Sequence, residues 1–409
     1  MSASEPAARR HAALFVFVTV ALDSMGIGVI LPVMPDLMQE LADASIGEAA
    51  LWGGYLSFSY ATMQFLFSPM VGNLSDRYGR RPVLLISLAM LAVDYVVMAL
   101  APNLWVLFIG RILSGLAGAT YSTATAYIAD VTPKDRRAAA FGLVGAGFGV
   151  GFVFGPAVGG LMAEFGTRAP FYAAAAVAFA NFVYGWLILP ESLAPENRRT
   201  FEWSRANPLG AILEIRRFPM VTWLLGAIML YNIAHTVYPA VWSYFTKAGL
   251  GWSNAEIGLS LALVGICFAI VQGGLIGWIL KRLGEVRTAL LGFIANIVGM
   301  AGIGLATSDW MIYALMPVTA LGALVAPALT GLMANRIPDN QQGELQGLMS
   351  SLQAVVAIFS PLFLTQLFGY FTSGPVETHF AGAPFIAASI IMVLALVPFR
   401  VGLRMRGVA

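Results

Sequence analysis

The chain has 409 residues, 59% of them hydrophobic and only 11% charged, where soluble domains carry roughly 25% charged residues. Water cannot solvate so apolar a surface, which excludes a soluble globular protein and makes lipid the main solvent. The net charge of +2, without a basic stripe of interleaved aromatics, excludes nucleic acid as a partner, and the single cysteine, Cys267, excludes an intramolecular disulfide or a thiol-ligated metal.

Arg9 and Arg10 precede an apolar stretch from Ala12 to Met34 that is longer than the core of a signal peptide, so a retained first transmembrane helix is predicted. A span needs about 20 apolar residues. Twelve stretches qualify, at about 11–34, 49–73, 81–101, 104–129, 136–163, 169–189, 218–245, 254–280, 286–306, 309–335, 342–369 and 381–402. A β-barrel would show short segments of alternating polarity instead. The expected fold class is therefore an all-α membrane protein. Lysines and arginines fall at both termini and in the even-numbered connections; only Arg168 and Lys247 lie in odd-numbered ones, and Arg111 sits inside a helix. Cytoplasmic loops collect basic residues, so both termini are expected in the cytoplasm of a bacterial inner (plasma) membrane protein.

A polar stretch from Pro190 to Pro219 divides six spans from six. The expected organisation is an N-terminal bundle over 1–189, a cytoplasmic linker over 190–217 and a C-terminal bundle over 218–409. An offset of 205 positions maps Gly72 onto Gly277, Arg77 onto Arg282, Gly79 onto Gly284, Gly142 onto Gly347 and Pro156 onto Pro361. Such pseudo-symmetric halves are the architecture of secondary transporters, with a midplane site served by rocking of one half against the other.

The connection after the second span packs Gly72, Asp76, Arg77, Gly79, Arg80 and Arg81 into one tight turn. Glycines permit such a turn. A carboxylate such as Asp76 can cap a helix N-terminus or pair with Arg137 in one conformation, which makes this loop a candidate gate; the alternative is a loop that only sets topology. Gly145, Gly147, Gly149 and Gly151 are read as helix-packing positions rather than a dinucleotide loop, since no strand precedes them. Gly110, Ser114 and Gly118 set a similar small stripe on the fourth span, and Pro156 allows a bend in the fifth.

The loop reading Gly72-Asn-Leu-Ser-Asp76-Arg77-Tyr-Gly79-Arg80-Arg81 resembles the cytoplasmic signature of the major facilitator superfamily at every specified position. Gly110-Arg111 through Gly115 resembles that family's fourth-helix motif. The run Gly151-Phe-Val-Phe-Gly155-Pro156-Ala-Val-Gly159-Gly160 resembles the fifth-helix motif of its drug/proton antiporters. Leu22-Asp23, Met25-Gly26, Asp94-Tyr95, Ile128-Ala129-Asp130 and Gln342-Gly343 through Gly347 bring the likeness nearest to the tetracycline/proton antiporters. The resemblance covers nearly the whole chain and implies the major facilitator fold, export rather than uptake, and gating roles for Asp130, Gly151, Gly155 and Pro156 beside the loop residues. The antiporters it resembles carry a histidine in the eighth span and an aspartate in the ninth, where this chain has Phe268 and Asn296. That departure implies an altered substrate.

Charges inside hydrocarbon cost roughly 2.5–3.5 kcal/mol each at the centre of an inserted helix, so they mark function. Asp23, Asp94 and Arg111 are the three. At 1.5 Å per residue all three lie about 18–20 Å from the cytoplasmic face of a roughly 30 Å core, and so can share a layer. Asp23 is expected to be proton-linked and substrate-facing with Arg111 as its electrostatic partner, since a carboxylate that gains and loses an arginine can bind and release protons; a static ion pair is the alternative. Asp94 is read either as part of the coupling or as a structural group. Gln64 is placed at the substrate cavity or in an interhelical hydrogen bond. Tyr231, Asn232, Tyr238 and Trp242 along the seventh span, with Asn296, are candidate substrate contacts, although aromatic belts look the same. His235 is read as structural.

The function expected is a proton-coupled antiporter exporting a small amphipathic compound, tetracycline-like among the candidates, by alternating access. The alternatives are a proton symporter or facilitator for a metabolite and a non-transporting membrane sensor. The partners expected are the substrate, protons and the lipid bilayer, with the chain a monomer. No catalytic residue, metal or cofactor is expected, and the chain is not expected to be an enzyme.

Overall fold

The computed structural model describes residues 4–117, 120–133, 137–201, 221–373 and 380–404, with the side chains of 4–13 and a few other positions left aside. Gly118, Lys134, Arg136, Arg205, Arg216, Arg217, Arg406, the side chains of Arg9 and Arg10, and most of the predicted linker lie outside the described residues.

Every regular element among the described residues is helical. The first span is α1 (Ser4–Ile30), which passes through a 3-10 turn at Leu31–Val33 into α2 (Met34–Ala42). Pro32 and Pro35 lack the N–H groups that a continuous helix needs there, so the chain breaks at the predicted end of the first span and a second helix continues beyond it. The second is α3 (Ile46–Tyr78) and the third α4 (Arg80–Leu100). The fourth is α5 (Leu104–Ala117) with α6 (Thr120–Val131), the fifth α7 (Arg137–Met162) and the sixth α8 (Ala169–Ile188). The seventh breaks into α9 (Thr222–His235) and α10 (Val237–Leu250) because Pro239 removes a helical N–H and its ring displaces the carbonyl four residues earlier. Thr236 closes the break, donating both its backbone N–H and its hydroxyl to Asn232 O at 3.1 and 2.8 Å.

The eighth and ninth spans are α11 (Asn254–Ile270), a π-turn over Val271–Leu275, and α12 (Ile276–Gly304). Gly284, at φ +72° and ψ 169°, interrupts α12 and separates the two crossings. Then follow α13 (Asp309–Leu321) and α14 (Val325–Ala334) across a 3-10 turn, α15 (Gln342–Ser373) and α16 (Ala383–Arg404). Nine stretches among the described residues are long and apolar enough to cross a membrane, and one of them, Asn254–Gly304, holds two crossings. The more polar α3 and the α5/α6 pair supply the rest of the twelve predicted. Gly79, which the repeat maps onto Gly284, takes φ +104° and ψ 160° between α3 and α4. This corner of backbone space is almost exclusive to glycine, so the repeat read in sequence is also a repeat of conformation.

The chain packs as two units. The first comprises Met1–Asp43, Ser59–Pro208 and Ser253–Ala262. In it α1 lies against α6, α7 and α8, while α4 lies against α5, α6 and α8. Phe15, Val16, Val20, Leu84, Ala124, Tyr127, Ile128, Val144 and Leu189 form an apolar cluster. Ser24 Oγ donates to Phe148 O at 2.8 Å, and Asn181 Nδ2 donates to Thr19 O at 3.2 Å, pinning α7 and α8 to α1.

The α1–α7 contact is the closest of these. Of the four glycines read as packing positions, Gly147 and Gly151 face α1, with Gly155 and Gly159 continuing at four-residue spacing, while nothing lies within 4 Å of a Cβ built at Gly145 or Gly149. A Cβ at Gly155 would come within 2.6 Å of Met25 O and 2.9 Å of Gly28 Cα, and one at Gly151 would overlap Ala21 O. The alternating run is thus a one-face stripe at helical period. Gly28 answers it from α1, where an added Cβ would meet Pro156 Cδ at 2.7 Å.

The second unit comprises Ala44–Phe58, Leu209–Trp252 and Leu263–Ala409. Here α9 and α12 pack on α16, α12 packs on α13 and α14, and α15 on α9 and α10. Its core is aromatic: Tyr238, Trp242 and Phe245 all pack on Phe385, with ring centroids 5.8, 6.0 and 4.9 Å away.

Candidate functional site

Two polar clusters stand out in the first unit. The deeper one draws on α1, α3, α4 and α5. Arg111 Nη2 forms an ion pair with Asp94 Oδ2 and donates to Met98 Sδ at 2.7 Å. Its guanidinium lies 5.5 Å from the centre of the Tyr60 ring, within cation–π range. Gln64 Nε2 donates to Tyr60 Oη at 3.4 Å, one turn away on α3. The pair is well shielded, with side-chain exposures of 14% for Arg111 and 2% for Asp94. Asp23 Oδ1 is buried without a hydrogen-bond partner among the described residues, and Asp23 lies in electrostatic range of Tyr60 and Tyr95.

This geometry corrects the predicted pairing. Arg111 is engaged by Asp94, not by Asp23. The reason is local: Gly110 puts no side chain between α5 and α4, so Asp94 Oδ1 lies 3.0 Å from where a Cβ of residue 110 would stand. Asp94, left open between two readings, is the arginine's direct partner. Gln64 joins the cluster through Tyr60. Depth along a helix was readable from sequence and azimuth was not, so the three charges could be assigned to one layer without revealing which two touch. Tyr60 and Met98 were missed as contacts; Tyr60 is one turn before Gln64 on the same helical face, and that spacing is the signal that would have found it.

The second cluster gathers the candidate gate residues at the ends of α3, α4, α6 and α8. Arg80 Nη1 pairs with Asp76 at 2.6 Å, and Arg80 Nε pairs with Asp130 at 3.1 Å. Arg80 Nη1 also donates to Ser75 Oγ at 2.6 Å. Glu191 accepts from the backbone N–H groups of Arg80 at 2.8 Å and Arg81 at 3.3 Å, capping the N-terminus of α4. Arg81 returns the favour to α8, donating to Trp186 O at 2.9 Å in its last turn and to Leu189 O at 2.7 Å at its C-cap.

The expected contact of Asp76 with Arg137 or with a helix end is replaced. Asp76 pairs with Arg80 one turn on, Glu191 does the capping, and Arg137 Nε donates to Thr132 O at 3.3 Å. Arg77 is exposed, its guanidinium 5.1 Å from the Tyr78 ring. Nothing lies within 4 Å of a Cβ at Gly72, whereas Gly79 is required by its positive φ. Glu191 was read only as part of the linker; a carboxylate just past the end of one helix gives no sequence sign that it caps another.

In the second unit the candidate substrate residues are drawn into packing. Trp242 is 2% exposed, Tyr231 5% and Tyr238 9%, and Asn232 accepts the Thr236 contacts that close the α9/α10 break. His235 sits among Tyr231, Tyr238 and Phe268 with ring centroids 5.3, 5.2 and 5.8 Å away. Asn296, expected at the substrate site, is instead fully buried, and its amide donates to Gly292 O at 3.1 Å and Gly322 O at 3.2 Å, tying α12 to the turn between α13 and α14. An amide already spent on two backbone carbonyls has no donor to offer a ligand.

Comparison with known proteins agrees with this architecture. The family model described as Major Facilitator Superfamily matches residues 16–361 and again 230–405. The tetracycline resistance protein, class C, of Escherichia coli is 38% identical over 358 residues, 88% of this chain and 90% of its own. The class G protein of Vibrio anguillarum is 39% identical over 359 residues, 88% of this chain and 91% of its own. Among solved structures, a bacterial homologue of the human lysosomal transporter Spinster superposes with a TM-score of 0.79 at 15% identity, covering 97% of each chain, which speaks to the fold alone. With a matched family model over most of its length, paired helical repeats and relatives well above 30% identity, the chain belongs to the Major Facilitator Superfamily, among the relatives of the tetracycline resistance proteins.

Proposed function

We propose that the protein is a proton-coupled antiporter that exports a small amphipathic compound, with tetracycline among the candidates, by alternating access. The observation that carries this reading is the deep cluster of the first unit. It sets a half-buried carboxyl group, Asp23, whose Oδ1 is buried without a hydrogen-bond partner among the described residues, in the same helical layer as a shielded Asp94–Arg111 pair, inside segments built to sit in lipid. A carboxyl group so placed is tolerated when it exchanges protons as part of a transport cycle. In this reading Asp23 takes and releases the proton, while the Asp94–Arg111 pair holds the surrounding charge fixed.

The remaining parts of the reading follow the sequence. The bundles over 1–189 and 218–409, joined by the linker at 190–217, act as the moving bodies of a monomer in a bacterial inner membrane, with both termini cytoplasmic. The contacts of Asp76, Arg80, Asp130 and Glu191 form a gate that is remade during the cycle. The protein breaks no covalent bond and takes no cofactor. Phe268 and the buried Asn296 stand where the antiporters that the sequence resembles carry a histidine and an aspartate, and point to a different preferred cargo.

The test is transport by purified protein in proteoliposomes. Accumulation of tetracycline or of another amphipathic compound driven by an imposed pH gradient, abolished by a protonophore and by Asp23→Asn, is the expected outcome. Absence of gradient-driven movement for tetracycline and for a panel of amphipathic cations and anions overturns the proposal.

A further inference from the structure

Several buried polar atoms of the first unit lack a hydrogen-bond partner among the described residues, and a subset of them is ordered in space: Asp23 Oδ1, Thr19 Oγ1, Asn181 Oδ1, Thr123 Oγ1 and Tyr127 Oη. Thr19, Thr123, Tyr127 and Asn181 are each no more than 1% exposed. Buried hydroxyls and amides in native proteins are almost always satisfied, by ordered water where protein offers nothing.

Their positions form a series. Thr19 is one turn before Asp23 on the same face of α1, about 6 Å nearer its N-terminal end. Asn181 on α8 donates through Nδ2 to Thr19 O at 3.2 Å, which brings its other amide atom to that level. Helix α6 packs on α1, and Val16 and Val20 of α1 share one apolar cluster with Ala124 and Tyr127 of α6. Thr123 and Tyr127 are again one turn apart on a common face. Tyr127 in turn lies in electrostatic range of Glu191 and Asp130, both exposed at the ends of α8 and α6.

We propose that these side chains line an internal file of water that carries protons between Asp23 and the Asp130–Glu191 cluster, wholly inside the first unit. The inference rests on the reading of the protein as proton-coupled, and it gives the proton a route of its own. The hydroxyls of Thr19, Thr123 and Tyr127 each accept one hydrogen bond while donating another, so each takes a proton on one side and gives up its own on the other; Asn181 Oδ1 only accepts, and orients a water. One proton leaves the Asp23 carboxyl, which becomes a carboxylate, and one proton enters bulk water beside Glu191. The surrounding apolar cluster confines the file. The charged groups that flank it are Asp94 and Arg111 beyond Asp23, and Arg80, Arg81 and Arg137 with Asp76, Asp130 and Glu191 at the surface end.

Time-resolved infrared spectroscopy of the full chain in lipid, after a pH jump, follows the Asp23 carboxyl band, assigned by its loss in Asp23→Asn. It needs no substrate. Thr123→Val and Tyr127→Phe keep the side-chain shape and are expected to slow protonation of Asp23 by about tenfold or more. Thr19→Val is expected to slow it and Thr19→Ser to restore it, while Ser389→Ala in the second unit leaves the rate at the parental value. Parental rates in Thr19→Val, Thr123→Val and Tyr127→Phe overturn the route. Gradient-driven transport of tetracycline and of the amphipathic panel is read in parallel: absence of movement for all of them in the parent with the infrared slowing intact removes the antiport reading and leaves the route, and the reverse result removes the route and leaves the antiporter.

Discussion

Gly79 and Gly284 stand 205 positions apart and adopt nearly the same backbone, with φ of +104° and +72° and ψ of 160° and 169°. Each ends one membrane crossing and begins the next.

Alanine at either position is therefore strained, by about 1–3 kcal/mol. At Gly284 nothing lies within 4 Å of the added Cβ, so the cost there is purely conformational; at Gly79 the Glu191 carboxylate is also in the way. Thermal melting in detergent should show Gly79→Ala as the more damaging, Gly284→Ala as intermediate and Gly72→Ala as close to the parent.

The Asp94–Arg111 pair gives a second expectation. Removing one member of a shielded pair leaves its partner uncompensated and costs about 3–5 kcal/mol, whereas removing both is far less harmful. Arg111→Ala and Asp94→Ala should each lower the melting temperature more than the double variant does. Additive losses in that cycle would show that the two side chains act independently.

Asp23 should behave differently from Asp94. Its Oδ1 has no hydrogen bond to lose among the described residues, so Asp23→Asn is expected to keep or raise the melting temperature. The same variant should retain substrate counterflow in the absence of a pH gradient and lose gradient-driven accumulation. A large drop in melting temperature would assign Asp23 to the scaffold instead.

Glu191 caps α4 through two backbone N–H groups. Glu191→Ala should cost about 1 kcal/mol and speed amide hydrogen exchange at Arg80 and Arg81, with Asp130 and Arg81 contacts elsewhere in the cluster retained. Unchanged exchange at those two amides would mean that the cap contributes nothing in the membrane.

Much of this fold could be read before any coordinates. Twelve long apolar runs dictate helices because lipid leaves backbone groups no partner outside the segment, and the spacing of Gly79 and Gly284 already encoded a repeated turn. Hidden from sequence were relationships fixed by rotation about helix axes and by long-range capping. Arg111 chose Asp94 because Gly110 lets α4 come close; Asn296 turned inward because the carbonyl of Gly322 was waiting for it. Glu191 found the α4 terminus across 111 positions of chain. Such pairings depend on which way a side chain faces, and periodicity gives that only relative to its own helix.

The contact of α1 with α7 bears on how Asp23 can travel. Where Gly151, Gly155 and Gly159 meet α1, main chain rests on main chain, with no layer of side chains to bend or repack. Sideways displacement of α1 would open a gap or force atoms together, while sliding along its length trades one bare α-carbon for the next. Asp23 therefore sits on a helix braced across its width and least hindered along its length.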